Sequence, residues 1–337
     1  MNAVVAAARV GDEQAFSRLV ERYRPELQVH CYRMLGSFED SEDLAQETFL
    51  RAWRGRASFS PREASSFRAW LYRIATNACL DVLRGRPRRI LPQQVAPAAD
   101  PTVPPPPAAD LPWLQPYPDR LLEPIAPAHD EPGAVVVARE TIELAFLAAI
   151  QHLRPRQRAA LILRDVLGWS AKDTAELLEA SVASANSALQ RARSTLRDRL
   201  PERRTEWGPS SGPSDEERDL LRRYVAAHER ADADALAELL REDVFLTMPP
   251  HPTWYAGREA IMIAMQQGFD PDFGRLRTLV AAANLQPAAA HYLQAPGEAA
   301  YRPLALDVLR VEGGRVAEID SFVFPGLFPA FGLPPTL

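Results

Sequence analysis

Apolar positions recur every three or four residues through residues 12 to 86. Phe16, Leu19, Val20 and Tyr23 open the pattern, Leu27, Cys31, Met34 and Leu35 continue it, and Gly36 closes it. That period predicts an amphipathic helix. Asp40 or Ser41 is placed to cap a second helix, with Glu42, Asp43 and Glu47 near its positive end. Leu44, Ala45, Phe49, Ala52 and Trp53 supply its buried face. After a loop carrying Ser58, Ser60 and Pro61, a third helix is predicted from about Ser66 to Arg84. Its stripe is Phe67, Trp70, Leu71, Ile74, Ala78 and Val82.

The pattern breaks between Ile90 and Pro132, which hold thirteen of the thirty-one prolines. Such a stretch reads as an extended, semi-stiff linker. Within it, "LPWLQPYPDRLLE" carries more apolar side chains than a pure spacer needs. Helical periodicity returns from Val135 to Leu200, with one helix around Ile142 to Leu153 that stops near Pro155. A short helix capped by Ser170, with Asp173 in the reciprocal position, is followed by a tight turn at Ala180 and Ser181 and a long helix. Val182, Ala185, Leu189, Ala192 and Leu196 share one face of it. Ser184, Asn186, Ser187, Gln190, Arg191 and Arg193 point outward. This is the helix-turn-helix pattern.

A second linker follows, then helices at about Ser214 to Arg230 and Ala233 to Leu240. Beyond Asp243 the period changes to two, with a turn signal at Gly313-Gly314. That predicts strands and a hairpin, hence an α+β third domain. The expected divisions are 1–89, 90–134, 135–205 and 206–337.

Composition refines this picture. The net charge of -5 conceals segregation: Arg51 to Arg89 contains ten arginines against Glu63 and Asp81. A basic block inside an acidic chain is a local polyanion signal. Cys31 and Cys79 both fall in helical patterns and are expected to be free, buried thiols in a reducing cytoplasm. No apolar run is long enough for a membrane span, and the apolar stretch Ala3 to Ala8 is too weak for a signal peptide.

"DSEDLAQETFLRAW" from Asp40, with "FRAWLYRIATNACLDVLRGRPRR" from Phe67, closely resembles the second region of extracytoplasmic-function sigma factors of the sigma-70 family. The helix-turn-helix segment resembles their fourth region. The remainder, with "MPPHPTWYAGREAI" and "YRPLALDVLRVEGGRVAEIDSFVF", resembles SnoaL-like domains. The implied architecture is two all-α sigma domains plus a C-terminal α+β cone-shaped domain.

The resemblance implies roles. Asp40, Asp43, Gln46, Glu47, Leu50 and Arg51 would bind the clamp helices of the largest subunit of RNA polymerase. Arg68, Arg73, Asn77, Asp81, Arg84, Arg86 and Arg88 would hold the melted -10 strand, where unstacked bases need pockets and phosphates need cations. The loop Ser58 to Ser66 would hold a flipped base. Trp70 and Phe67 have core packing as their ordinary reading, and Asp81 could pair with Arg84 or Arg73. Ser184, Ser187, Gln190, Arg191 and Arg193 would meet duplex DNA at the -35 element, beside the polymerase flap. Arg197, Arg199, Arg203 and Arg204 would attract phosphates nonspecifically.

The linker would lie in the RNA exit channel. Trp113, Leu114, Tyr117, Leu121 and Leu122 would dock on the extension or pack against flanking helices. His251, Trp254, Tyr255, Asn284, Tyr292 and Asp320 would line a pocket for an unknown small molecule. Leu285 stands where related extensions carry glycine, so a tight turn there is expected to be lost. No metal or cofactor is expected, and no catalysis. The alternatives from the residues alone are a stand-alone helix-turn-helix regulator and a SnoaL-like isomerase or hydrolase with fused DNA-binding domains.

Overall fold

A computed structural model of the chain describes residues 2–59, 66–122, 142–198, 213–270 and 272–337. It packs as two units, Met1–Arg89 with Leu121–Pro209, and Ile90–Arg120 with Ser210–Leu337. The expected boundaries at 134/135 and 205/206 lie outside the described residues. Most of the proline-rich linker belongs to the unit of the third domain.

The first unit is helical. It runs α1 (Asn2–Arg9), α2 (Glu13–Leu35), α3 (Phe38–Gly55) and α4 (Ser66–Leu83), then α5 (Leu144–Ile150), α6 (Pro155–Leu161), α7 (Ala171–Leu177) and α8 (Val182–Arg197). The apolar stretch near the N-terminus forms α1, which buries Val5 and Ala8. Asp12 caps α2 by accepting from the Ala15 amide at 2.9 Å. Gly36, at φ 68°, ends it in the left-handed conformation that glycine adopts without a Cβ clash.

The cap of α3 is Ser37, not Asp40 or Ser41. Ser37 is extended and accepts from the Asp40 amide at 3.2 Å. Ser41 is buried one turn inside, its hydroxyl donating to the Phe38 carbonyl. Leu27, Ala45, Phe49, Leu71, Cys31 and Cys79 meet in the core of α2, α3 and α4, with both cysteines free. Pro155 opens α6 as its first residue, where its missing N–H costs nothing. The chain then makes one π turn over Ile162–Val166. On α8, Ala185, Leu189, Ala192 and Leu196 are buried as expected, but Val182 is exposed because it sits at the first turn, beyond the packed face.

One residue ties the two helical halves together. Arg158 on α6 is buried, and its guanidinium donates to the carbonyl of Met34 at the end of α2. It also donates to the carbonyls of Ile150, Gln151 and Leu153 and to Gln151 Oε1. Burial lowers its pKa to about 10, so it stays charged.

The second unit is a curved sheet with helices. Helices α9 (Asp215–Glu229), α10 (Ala233–Leu239) and α11 (Arg258–Gln266) accompany strands β1 (Leu240–Thr247), β2 (Trp254–Ala256), β3 (Arg275–Ala283), β4 (Gln286–Gln294), β5 (Arg302–Glu312) and β6 (Arg315–Phe322). The sheet order is β2-β1-β6-β5-β4-β3. Only β1 with β6 is parallel among these pairs. Leu221, Tyr224, Leu236, Val244, Leu309 and Ile319 belong to the core between helices and sheet.

The β3–β4 turn is tight despite Leu285. Ala283 pairs with Gln286, so Asn284 and Leu285 form a two-residue loop, both at positive φ (57° and 60°). Two positive φ values match the twist of the strands. The left-handed conformation costs a leucine about 1–2 kcal/mol. Burial of a leucine side chain returns about 2 kcal/mol, and Leu285 is buried.

Candidate functional site

Helix α3 presents a polar row to solvent. Asp43, Gln46 and Leu50 are exposed, and Leu50 retains 51% of its accessible surface, unusual for a leucine on a helix that buries Ala45, Phe49 and Ala52 and half-buries Leu44 and Trp53. Glu47 pairs with Arg51 one turn on at 2.7 Å. Asp40 stands apart from that row. It accepts from Arg86 at 3.1 Å and from Arg89, so the start of α3 is clamped to the segment after α4.

The arginines of α4 divide in two. Arg68 is committed to the protein: it donates twice to Glu26 Oε2 (2.9 and 2.8 Å), which also accepts from the Tyr72 hydroxyl. Arg73 reaches the Glu176 carbonyl of α7 at 3.4 Å, and Asn77 is half-buried. Arg84, Arg86 and Arg88 are exposed. Arg84 pairs with Asp81 at 3.0 Å, Asp81 lies 3.9 Å from Arg51, and Arg88 donates to His152 Nδ1 at 2.7 Å. Phe67 is buried and Trp70 half-buried, packed with Phe59 in one cluster of edge-on and tilted rings. Residues 60–65 of the expected base-holding loop lie outside the described residues, as do Arg199, Arg203 and Arg204.

In the helix-turn-helix, Ser170 accepts from the Asp173 amide to start α7, and Ser181 accepts from the Ser184 amide to start α8. Ser184, Ser187, Gln190, Arg191 and Arg193 are all exposed on the face of α8 opposite its core contacts. Arg193 forms a two-pronged pair with Asp165 (2.8 and 2.6 Å), which raises its pKa and fixes its fork. Ser184, Ser187, Gln190 and Arg191 form an unobstructed polar strip.

The linker is held by the third domain. Tyr117 donates its amide to Asn284 Oδ1 (2.8 Å) and accepts from the Asn284 amide (3.0 Å), so the β3–β4 turn reads the linker backbone in both directions. Pro118 bridges Ala283 at the sheet edge, and Asp119 Oδ1 accepts from the Leu285 amide at 2.9 Å. Arg120 donates to the Ala330 carbonyl. Further back, Ala99 donates to the Trp254 carbonyl, and the Trp254 indole donates to the Ala96 carbonyl. Trp113, Leu114, Tyr117 and Leu122 are buried, and Leu121 is half-buried.

Of the six expected pocket residues, two line the cavity of this domain. It has a volume of about 340 Å³, and His251 and Tyr255 face it. Trp254 and Asn284 are taken up by the linker. Tyr292 packs edge-on to Phe328 and donates to the Pro334 carbonyl. Asp320 accepts from Thr247 between β1 and β6; burial, with the charge of Glu318 nearby, raises its pKa.

The polar end of the cavity was missed. Tyr224 donates to Asp307 Oδ2 at 2.7 Å, and His291 Nε2 donates to the same oxygen at 2.9 Å. His228 lies beside them, its ring 4.8 Å from that of His291. The signal was present: "LALDVL" sets an aspartate in the middle of an apolar run, and Tyr224 and His228 continue the stripe of Leu220 and Leu221. Burial tends to raise the Asp307 pKa, but His291 beside it holds the carboxyl down at about 2. Burial lowers that of His228 to about 4. Both groups therefore meet neutral pH as acceptors, one an anion and one a neutral ring.

Comparison with known families matches residues 19–89 to Sigma-70 region 2, residues 143–196 to Sigma-70 region 4, and residues 221–319 to the SnoaL-like domain. The chain is 44% identical to the ECF RNA polymerase sigma factor SigG of Mycobacterium tuberculosis, over 98% of this chain and 86% of that one. It is 29% identical to SigW of Bacillus subtilis over 58% of this chain and 94% of that one. The crystal structure of SigJ of M. tuberculosis superposes with a TM-score of 0.59 at 22% identity, covering 93% of this chain and 98% of that one, and so shares its fold.

Proposed function

The chain belongs to the extracytoplasmic-function sigma factors, non-enzymatic subunits that partner RNA polymerase core and promoter DNA, and from that premise we propose how its parts divide the work. The exposed row Asp43, Gln46, Glu47, Leu50 and Arg51 docks on the clamp helices of the largest subunit. Leu50 supplies the apolar contact at its centre, and Asp40 holds the α3–α4 geometry through Arg86 and Arg89. Arg84, Arg86, Arg88 and Asn77 face the melted -10 strand, with Arg68 positioning α4 through Glu26. Ser184, Ser187, Gln190 and Arg191 read the -35 duplex while the same domain meets the flap. The protein works in the cytoplasm, where polymerase is.

The SnoaL-like domain modulates this activity in cis, and its cavity takes a small molecule. The observation that carries this reading is the linker clasp. The chain between the two promoter-binding domains is hydrogen-bonded along residues 96–120 to the third domain, so that domain controls how far the linker can extend.

Run-off transcription with core polymerase on the promoter upstream of its own gene tests the reading. The full chain yields promoter-dependent transcripts, and Asp43→Arg with Leu50→Glu lowers core binding at least about tenfold. DNA binding with no transcript in the presence of core rejects it.

A further inference from the structure

The cavity of the third domain is apolar over most of its wall, with Leu246, Met265, Phe273 and Leu276 among its lining, and polar at one end. Its size falls within the range of small-molecule sites. At the polar end the hydrogen bonds can be accounted for atom by atom. Asp307 Oδ2 accepts from Tyr224 and His291. His291 Nδ1 faces the Thr278 hydroxyl at 3.0 Å, so both nitrogens of that ring are engaged. His228 Nδ1 lies 2.9 Å from the Tyr224 carbonyl, which can only accept. Nδ1 therefore carries the proton, and Nε2 is an acceptor. No described residue donates to it.

Asp307 Oδ1 is buried and makes no hydrogen bond of good geometry among the described residues, the Ser321 hydroxyl being the donor set beside the carboxylate. Both residues line the cavity. An unpaired buried acceptor costs about 1–3 kcal/mol, more when charged, so the end of the cavity that holds His228 and Asp307 favours a donor over a further acceptor.

We infer that this cavity binds an apolar small molecule whose polar end is a hydrogen-bond donor, either a hydroxyl that gives its one proton to His228 Nε2 or an amine whose several N–H groups reach both His228 Nε2 and Asp307 Oδ1. The inference deepens the reading above that gives this domain a ligand, and rests on it. A metal ion fits less well. The ligand atoms of His228, His291 and Asp307 lie within 4.8 Å of one another. Yet His291 has no free nitrogen, leaving one imidazole and one carboxylate oxygen, too few for a closed site. A ligand acid or ketone would set a lone pair against a lone pair. Pro101, Val103 and Pro105 of the linker complete the wall, so the occupant also touches the chain that joins the promoter-binding domains.

Calorimetric titration of the full chain with three probes sharing one apolar body tests this: naphthalenemethanol, naphthalenemethylamine and acetylnaphthalene. The alcohol or the amine is expected to bind at least about tenfold more tightly than the ketone. That gap collapses in Asp307→Asn and His228→Phe, and all binding is lost in Leu304→Trp, which fills the cavity while leaving the polar end intact. Equal or tighter binding of the ketone keeps the pocket and overturns the donor. No saturable binding of any probe by the wild-type chain overturns both, while transcription assays judge the sigma reading separately. Zinc ion alone displacing naphthalenemethanol, with the effect lost in His228→Phe, overturns the inference in favour of a cation site. The wild-type probe series is decisive even if the polar variants fail to fold.

Discussion

A buried cation with every donor satisfied is harder to remove than to justify, because its partners stay behind without it. Arg158 is such a residue. Replacing it with methionine keeps much of its volume but orphans the carbonyls of Met34, Ile150, Gln151 and Leu153. Arg158→Met is expected to cost about 3 kcal/mol in chemical denaturation of the helical unit; a loss below about 1 kcal/mol would show that the carbonyls find water.

The buried histidines give the chain an acid limit. Burial holds His228 at about 4 and His30 at about 3, below the ordinary 6.5. The unfolded chain binds these protons first, so this contribution is complete above about pH 6.5 and falls as pH drops toward those values. Facing His228 are His291, Asp307 and the Tyr224 carbonyl; Asp307, with a pKa of about 2, stays charged across that window. His228 alone accounts for about 2 kcal/mol lost by pH 5. Melting by scanning calorimetry at pH 7.5 and 5 should show the third domain losing stability, and His228→Phe should lose less.

At the scale of elements, the β3–β4 turn does two jobs with one residue. Asn284 tolerates positive φ, and its side chain completes the clasp on Tyr117. Asn284→Gly keeps the turn and its backbone bond to the Tyr117 carbonyl but removes the side-chain half of the clasp, leaving the Tyr117 amide without its acceptor. It should expose residues 96–120 to limited proteolysis while lowering stability by about 1–2 kcal/mol. Unchanged cleavage would mean that the buried Trp113, Leu114 and Tyr117 hold the linker without this turn. Helix α8 carries a separate expectation. Gln190→Ala or Arg191→Ala should weaken -35 binding by about 1–3 kcal/mol in a sequence-dependent way. Arg193→Ala should act more weakly on sequence choice, since its fork is already taken by Asp165.

Across the whole chain, the linker lies on the third domain, and that domain is where control of the two promoter-binding domains is expected to originate. Truncation after Arg204 should change run-off transcription, and Trp113→Ala with Leu114→Ala should mimic it. Identical transcript yields in both would remove cis-modulation and leave the sigma assignment standing.

Periodicity by itself determined the order of the parts: a helical domain, a proline-rich connection, a second helical domain and an α+β end. Those signals are local, since a stripe every 3.6 residues or an alternation of two is written within one element. It also determined the outward strip of α8, because exposure on a helix follows from phase. What only the tertiary structure decided depends on residues far apart in the chain. Asp40 pairs with Arg86 and Arg89 across two helices, Arg158 reaches Met34, and Asn284 reaches Tyr117. His228, His291 and Asp307 converge from α9, β4 and β5. No spacing in sequence encodes such meetings. They follow from how sheet curvature and helix packing bring separate elements to one point, which is why the linker clasp and the cavity's polar end became visible only in the folded chain.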